Sequence, residues 1–97
     1  MISVVIPAYN EAASIAGTVR SVQSILETAG YKDLEIIVVD DGSTDDTFAD
    51  AKRAGSRVLK NLQNMGYGFS LKRGIRAANY DTIAITDADG TYPLERL

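Results

Sequence analysis

Towards the C-terminal end of this 97-residue chain two acids stand one residue apart, Asp87 and Asp89, with Ala88 between them and Gly90 after them. They follow a short apolar run, so both carboxylates arrive at the end of a buried strand within reach of one cation. Hard oxygen ligands of this kind suit Mg²⁺ or Mn²⁺ when a diphosphate completes the shell. Two acids so close repel one another unless a cation or donors lie between them. A capped turn beside Gly90 explains the same residues without a ligand. Asp40 and Asp41 end another apolar run in the same way. Turn chemistry and helix capping account for Gly42, Ser43 and Asp45, whereas a carboxylate such as Asp40, facing a cleft, suits a ribose hydroxyl or a base N–H. Pro7-Ala8-Tyr9-Asn10-Glu11 supplies a third strand end. Tyr9 is placed there to face a ring, Glu11 stands at a helix N-terminus, and Asn10 suits the cap of that helix.

Charge is unevenly spread. Residues 1–50 hold nine acids and two basic residues, whereas residues 51–80 hold seven basic residues and no acid. Solvated helix faces explain most of these. Lys72 follows a glycine-containing loop at a strand end, where backbone donors and one cation could meet phosphate oxygens. The net charge of −3 argues against a surface built to hold nucleic acid. With no Cys and no His, disulfides, thiolate metal sites, a cysteine nucleophile, the Ser-His-Asp triad and HExxH zinc sites are excluded, so any metal is held by oxygen. Gly66-Tyr67-Gly68 begins like a dinucleotide fingerprint, but Leu71 stands where its third glycine belongs. No Walker A sequence occurs, and a phospho-receiver carries its acid pair after the first strand rather than the second.

These residues are positioned by an alternation of strands and helices. Ile2 to Ile6 reads as a strand closed by Pro7 and buried on both faces. A helix from Glu11 carries Ile15, Val19, Val22 and Leu26 on one side and stops at Gly30. Leu34 to Val39 is a second strand; a helix from about Asp45 buries Phe48 and Ala51 and ends at Gly55. Arg57 to Lys60 is a third strand, 61–68 a loop, about 69–79 a third helix and 81–86 a fourth strand. This order predicts one α/β domain over 1–97, with about four parallel strands joined by right-handed crossovers. Ligands bind such sheets at the carboxyl ends of the strands, where strand order reverses. Apolar runs of five residues or fewer fall far short of the roughly 20 that span a bilayer, and no cationic leader precedes them. The expected place is the cytoplasm. Pro93 to Leu97 reads as the first turn of a further helix, so the chain is expected to be the N-terminal part of a longer domain.

Four segments taken in order, Val4 to Glu11, Val38 to Asp45, Asn64-Met65-Gly66 through Gly74, and Asp87-Ala88-Asp89-Gly90, resemble the nucleotide-sugar half of the family 2 inverting glycosyltransferases over essentially the whole chain. The resemblance implies the Rossmann-like half of a GT-A fold. It implies binding of a nucleoside-diphosphate sugar by Pro7, Tyr9, Asn10, Glu11, Asp40, Asp41, Gly42, Lys72, Asp87 and Ala88. Asp87 and Asp89 would hold a divalent metal, Mg²⁺ or Mn²⁺, that bridges the diphosphate. The run through Pro93 is most similar to members that pass a hexose to polyprenyl phosphate, although many of those carry Gln where Thr91 stands. A lipid phosphate or a saccharide is the implied acceptor, the full-length enzyme would work at the cytoplasmic face of a membrane, and no catalytic base is identified. A nucleotide-binding or regulatory module without turnover is the alternative. If the fourth strand's outer edge is uncovered, Ile83 and Ile85 are the candidates for pairing two copies into a homodimer.

Overall fold

The computed structural model describes residues 1–88. The expected metal ligand Asp89, Gly90, Thr91 and the helical turn at 93–97 lie outside the described residues. The elements are β1 (Ile2–Ala8), α1 (Ile15–Thr28), β2 (Leu34–Asp40), α2 (Thr47–Arg53), β3 (Arg57–Lys60), α3 (Tyr67–Ala77) and β4 (Ile83–Ile85). All strand pairs are parallel and the order is β3-β2-β1-β4. The expected α/β class is therefore observed.

Because successive strand residues point to opposite faces, the apolar runs of β1 and β2 feed two cores. Ile2, Val4, Ile6, Ile36 and Val38 pack with Ile15, Val19, Val22 and Leu26 of α1 and Ala51 of α2 on one side. Val5, Ile37 and Val39 pack with Leu59, Leu71, Ala77 and Ile83 on the other, beneath α3. Each Val or Ile buried here contributes roughly 1.5–3 kcal/mol. Among the described residues β4 is the sheet's outer strand beyond β1; Ile83 is half-buried against the second core and Ile85 is 41% exposed. No helix among them is long and apolar enough to cross a membrane.

Candidate nucleotide-sugar site

Strand order reverses at β1, with β2 on one side and β4 on the other. A cleft of about 460 Å³ opens at the carboxyl ends of these strands. Six of the expected residues, Pro7, Tyr9, Glu11, Asp41, Asp87 and Ala88, line it together. Ala8 and four residues from further along the chain, Asn64, Gly66, Tyr67 and Ser70, complete the wall. Spacing and residue type alone mark none of these four as ligands, although Asn64 and Gly66 belong to one of the four family-like segments.

The paired acids divide. Strand alternation sends Asp40 into the side covered by α1 and α2, where it is fully buried. Its Oδ1 accepts the Ser43 N–H at 3.1 Å, and its Oδ2 is buried with no hydrogen-bond partner among the described residues. Asp40 therefore does not line the cleft, contrary to the expectation that it would meet the nucleoside. Asp41, one residue on, faces the opposite way. Its Oδ1 accepts Asn61 Nδ2 at 2.8 Å and the Met65 N–H at 2.7 Å; its Oδ2 accepts the Gly66 N–H at 2.9 Å. Burial pushes this carboxyl up, but the bonds from Met65, Asn61, Gly66 and Ser70 outweigh it and hold the group below the ordinary carboxylate range. Asp41 is thus an ionised acceptor fixed in the cleft wall, and it pins the 61–66 loop to the end of β2.

Gly42 serves that same contact. Its φ is +74°, and a Cβ would lie 2.6 Å from the carbonyl carbon of Gln63 and 2.8 Å from the Asn64 nitrogen. The residue is needed for close approach of the loop as well as for its left-handed turn, and it does not line the cleft. Asn10, at φ 52°, does not cap α1 either, because the chain turns once more before the helix starts after Ser14. Its N–H donates to Ser43 Oγ at 2.9 Å, and its Oδ1 accepts the Thr44 N–H at 2.9 Å. Asn10 therefore ties the end of β1 to the turn after β2. Lys72 is exposed on α3, away from the cleft-lining side chains. It stands in the second turn of α3, past the free N–H groups of the helix start.

At the end of β4 the Ala88 carbonyl accepts two hydroxyls of α1 and its approach, Ser14 Oγ at 2.9 Å and Thr18 Oγ1 at 3.0 Å. Sequence reasoning passes over both; their signal is a pair of hydroxyls four residues apart on the apolar side of an amphipathic helix. The bonds fix the backbone next to Asp87, whose side chain is exposed at the cleft. Among the described residues no cluster of three acids could hold a metal alone. Asp87 is a hard oxygen donor open to the cleft, which fits one ligand of a Mg²⁺- or Mn²⁺-type cation whose other positions are filled from elsewhere.

A parallel sheet with this order and a cleft at its switch point defines a Rossmann-like unit, an architecture that takes its ligands at the carboxyl ends of the strands. The glycosyl transferase family 2 profile matches residues 3–97, and the chain belongs to that family. It is 36% identical over 102 residues to undecaprenyl-phosphate 4-deoxy-4-formamido-L-arabinose transferase of Enterobacter sp., covering 99% of this chain and 31% of the relative. Glucosyl-3-phosphoglycerate synthase from Mycobacterium tuberculosis, solved with Mn²⁺, UDP-glucose and phosphoglyceric acid, is 36% identical at a TM-score of 0.78; 97% of this chain and 36% of that one are covered. A mannosyltransferase from Pyrobaculum calidifontis, solved with GDP-Man and Mn²⁺, is 30% identical at 0.78, covering 91% and 27%. The fold is that of the GT-A glycosyltransferases. The chain spans about a third of the length of these relatives.

Proposed function

We propose that this chain is the donor-binding part of an inverting glycosyltransferase, which transfers a hexose from a nucleoside-diphosphate sugar to a polyprenyl phosphate. The observation that carries the reading is the convergence of Tyr9, Asp41 and Asp87 in one cleft at the strand-order switch. Tyr9, 45% exposed, offers a ring face to the base. Asp41, ionised and immobilised by three donors, accepts a base N–H. Asp87, with Asp89 as its expected partner, would hold a divalent cation, Mg²⁺ or Mn²⁺, whose charge would stabilise the departing diphosphate. Asp87 would also touch the ribose. A lipid phosphate attacks the anomeric carbon as an anion already, so the step needs no general base from these residues. The relatives solved with UDP-glucose or GDP-Man and Mn²⁺ support the donor class, and the undecaprenyl-phosphate transferase supports the acceptor. The proposed place of work is the cytoplasm, at the membrane face where a lipid acceptor lies.

Calorimetric titration with UDP and GDP, in Mn²⁺ and in chelator, tests the reading. One of the two should bind more tightly with metal, and Asp41→Asn should weaken that binding at least about fivefold. No binding of any nucleoside diphosphate under either condition would overturn it.

A further inference from the structure

We propose that the face formed by the 60–69 segment and the outer side of α3 docks on an anionic lipid surface. A second groove of about 560 Å³ lies outside the cleft, lined by Lys60, Leu62, Met65, Phe69 and Arg73 among others. Leu62 is 100% exposed, Phe69 48% and Met65 44%. Exposed apolar side chains scattered singly need no explanation, but three gathered in one groove do. Around them stand Lys72, Arg73 and Arg76 of α3, whereas the Lys60 ammonium lies 5.5 Å from the centroid of the Phe48 ring on the other side of the sheet. On α3 the residues Phe69, Lys72, Arg73 and Arg76 follow one another at three- and four-residue spacing, opposite the buried Ser70 and Gly74.

None of these three α3 cations has a carboxylate partner among the described residues, whose ion pairs are Arg53–Asp50 and Arg57–Glu35. The Arg73 guanidinium donates to the Lys60 carbonyl at 2.8 Å and to Asn61 Oδ1 at 2.7 Å, which fixes its charge beside the groove. No acid occurs between residues 51 and 80. Apolar tips flanked by α3 cations that no carboxylate of the described residues neutralises are complementary to an anionic bilayer, where the tips enter the acyl boundary and the cations stay with the headgroups. Single-stranded nucleic acid is the weaker match, since Leu62 and Met65 offer no ring on which a base stacks. One loop serves both sites: Asn64 and Gly66 face the cleft while Leu62 and Met65 face the groove. Docking would therefore bring the cleft beside the lipid surface. The docking itself does not depend on the donor reading, because it is measured without nucleotide.

Flotation with vesicles of phosphatidylcholine alone, and of an equal mixture with phosphatidylglycerol, tests the proposal. The chain should float with the anionic vesicles only, and salt should release it. Lys72→Gln and Arg76→Gln should each weaken binding about fivefold, and Leu62→Ser about tenfold. The chain has no tryptophan, so the Leu62→Trp variant reports the surroundings of that position, and its emission should shift to the blue on anionic vesicles. Leu62 is fully exposed, so its substitution leaves the core untouched, and far-UV circular dichroism verifies the fold of each variant. Equal partition onto neutral vesicles, an unshifted emission spectrum of the Leu62→Trp variant, or binding to an RNA oligonucleotide with none to vesicles would each overturn the proposal.

Discussion

Gly74 lies midway along α3, where the helix meets the two central strands. A Cβ added there would stand 2.3 Å from Val5 Cγ1 and 3.1 Å from Val39 Cγ2. Both valines are fully buried, and a β-branched side chain has little freedom to turn aside. Overpacking of this kind costs about 1–3 kcal/mol. The upper end applies, because 2.3 Å is far inside the ~3.5–4.0 Å at which carbon atoms rest. Against this, alanine gains about 1 kcal/mol over glycine in a helix interior. Gly74→Ala should therefore destabilise by about 2 kcal/mol net, a fall of about 8–16 °C in Tm for a domain of this size. Urea unfolding followed by circular dichroism should show a lower midpoint at unchanged slope. Gly68→Ala, in the same helix with no heavy atom within 4 Å of its added carbon, isolates the propensity and should cost nothing. In a Val5→Ala background both Val5 methyls are gone, so Gly74→Ala should cost less than it does alone. An equal cost in the two backgrounds would refute the steric account.

Asp41→Asn turns an amide N–H towards one of the donors that the carboxylate accepts, and should cost about 1–3 kcal/mol at neutral pH. The folded-state pKa of Asp41 lies below its unfolded value of about 3.9, so its stabilisation is present above that pH and is lost as pH falls through the folded value. The variant's deficit in urea midpoint should shrink on acidification, and a deficit independent of pH would show that the group is not ionised as assigned. Glu35 accepts bonds from Ser3 Oγ and from the N–H and Nδ2 of Asn79; burial raises its pKa, yet these bonds and Arg57 leave it lowered. Glu35→Gln should speed hydrogen exchange at Asn79 and Tyr80 while leaving nucleotide affinity unchanged, and altered affinity would mean that this end of the sheet is coupled to the cleft. Asp87→Ala should shift stability by less than about 0.5 kcal/mol, as its side chain is exposed, but should remove most of the Mn²⁺-dependent gain in nucleoside-diphosphate affinity. An unaltered metal dependence would sink its role as a ligand.

The elements were legible where apolar periodicity alone decides them. β3 has the expected bounds, and β2 runs one residue further than expected, to Asp40. That single residue matters, because it makes Asp40 part of the strand, commits it to the buried face and leaves Asp41 for the cleft. α1 starts at Ile15 rather than Glu11, since the Glu11 carbonyl first closes a turn by accepting the N–H groups of Ser14 and Ile15. α3 starts at Tyr67 rather than near Phe69, because Gly66, at φ 99°, makes the turn and the chain is helical straight after it despite Gly68. The earlier start carries Lys72 out of the first turn and so away from any ligand held at the helix end. Nothing in local sequence marks Asn61, Met65 and Gly66 as donors to Asp41, since those bonds span 20 to 25 residues and exist only once β3 has paired beside β2.

The same bonds explain how a small domain can keep a preformed cleft. Its walls come from three strand ends, one loop and the start of α3, and the strand ends and loop are fastened to their neighbours by hydrogen-bonding side chains, of which only Asp41 itself lines the cleft. Asn10 and Ser43 join the ends of β1 and β2, with Asp40 holding the Ser43 backbone. Asp41 joins β2 to the 61–66 loop, and Ser14 with Thr18 holds the Ala88 carbonyl beyond β4. Ordering these walls during folding, rather than at binding, lowers the entropic cost that a flexible nucleotide would otherwise meet. Substitution at Asn10, Ser43, Ser14 or Thr18, which fasten the walls without lining the cleft, should therefore weaken every nucleotide in proportion. Substitution at Tyr9 or Asp41, which line the cleft, should instead change the ranking among bases, and that contrast separates the residues that only build the cleft from those that read what enters it.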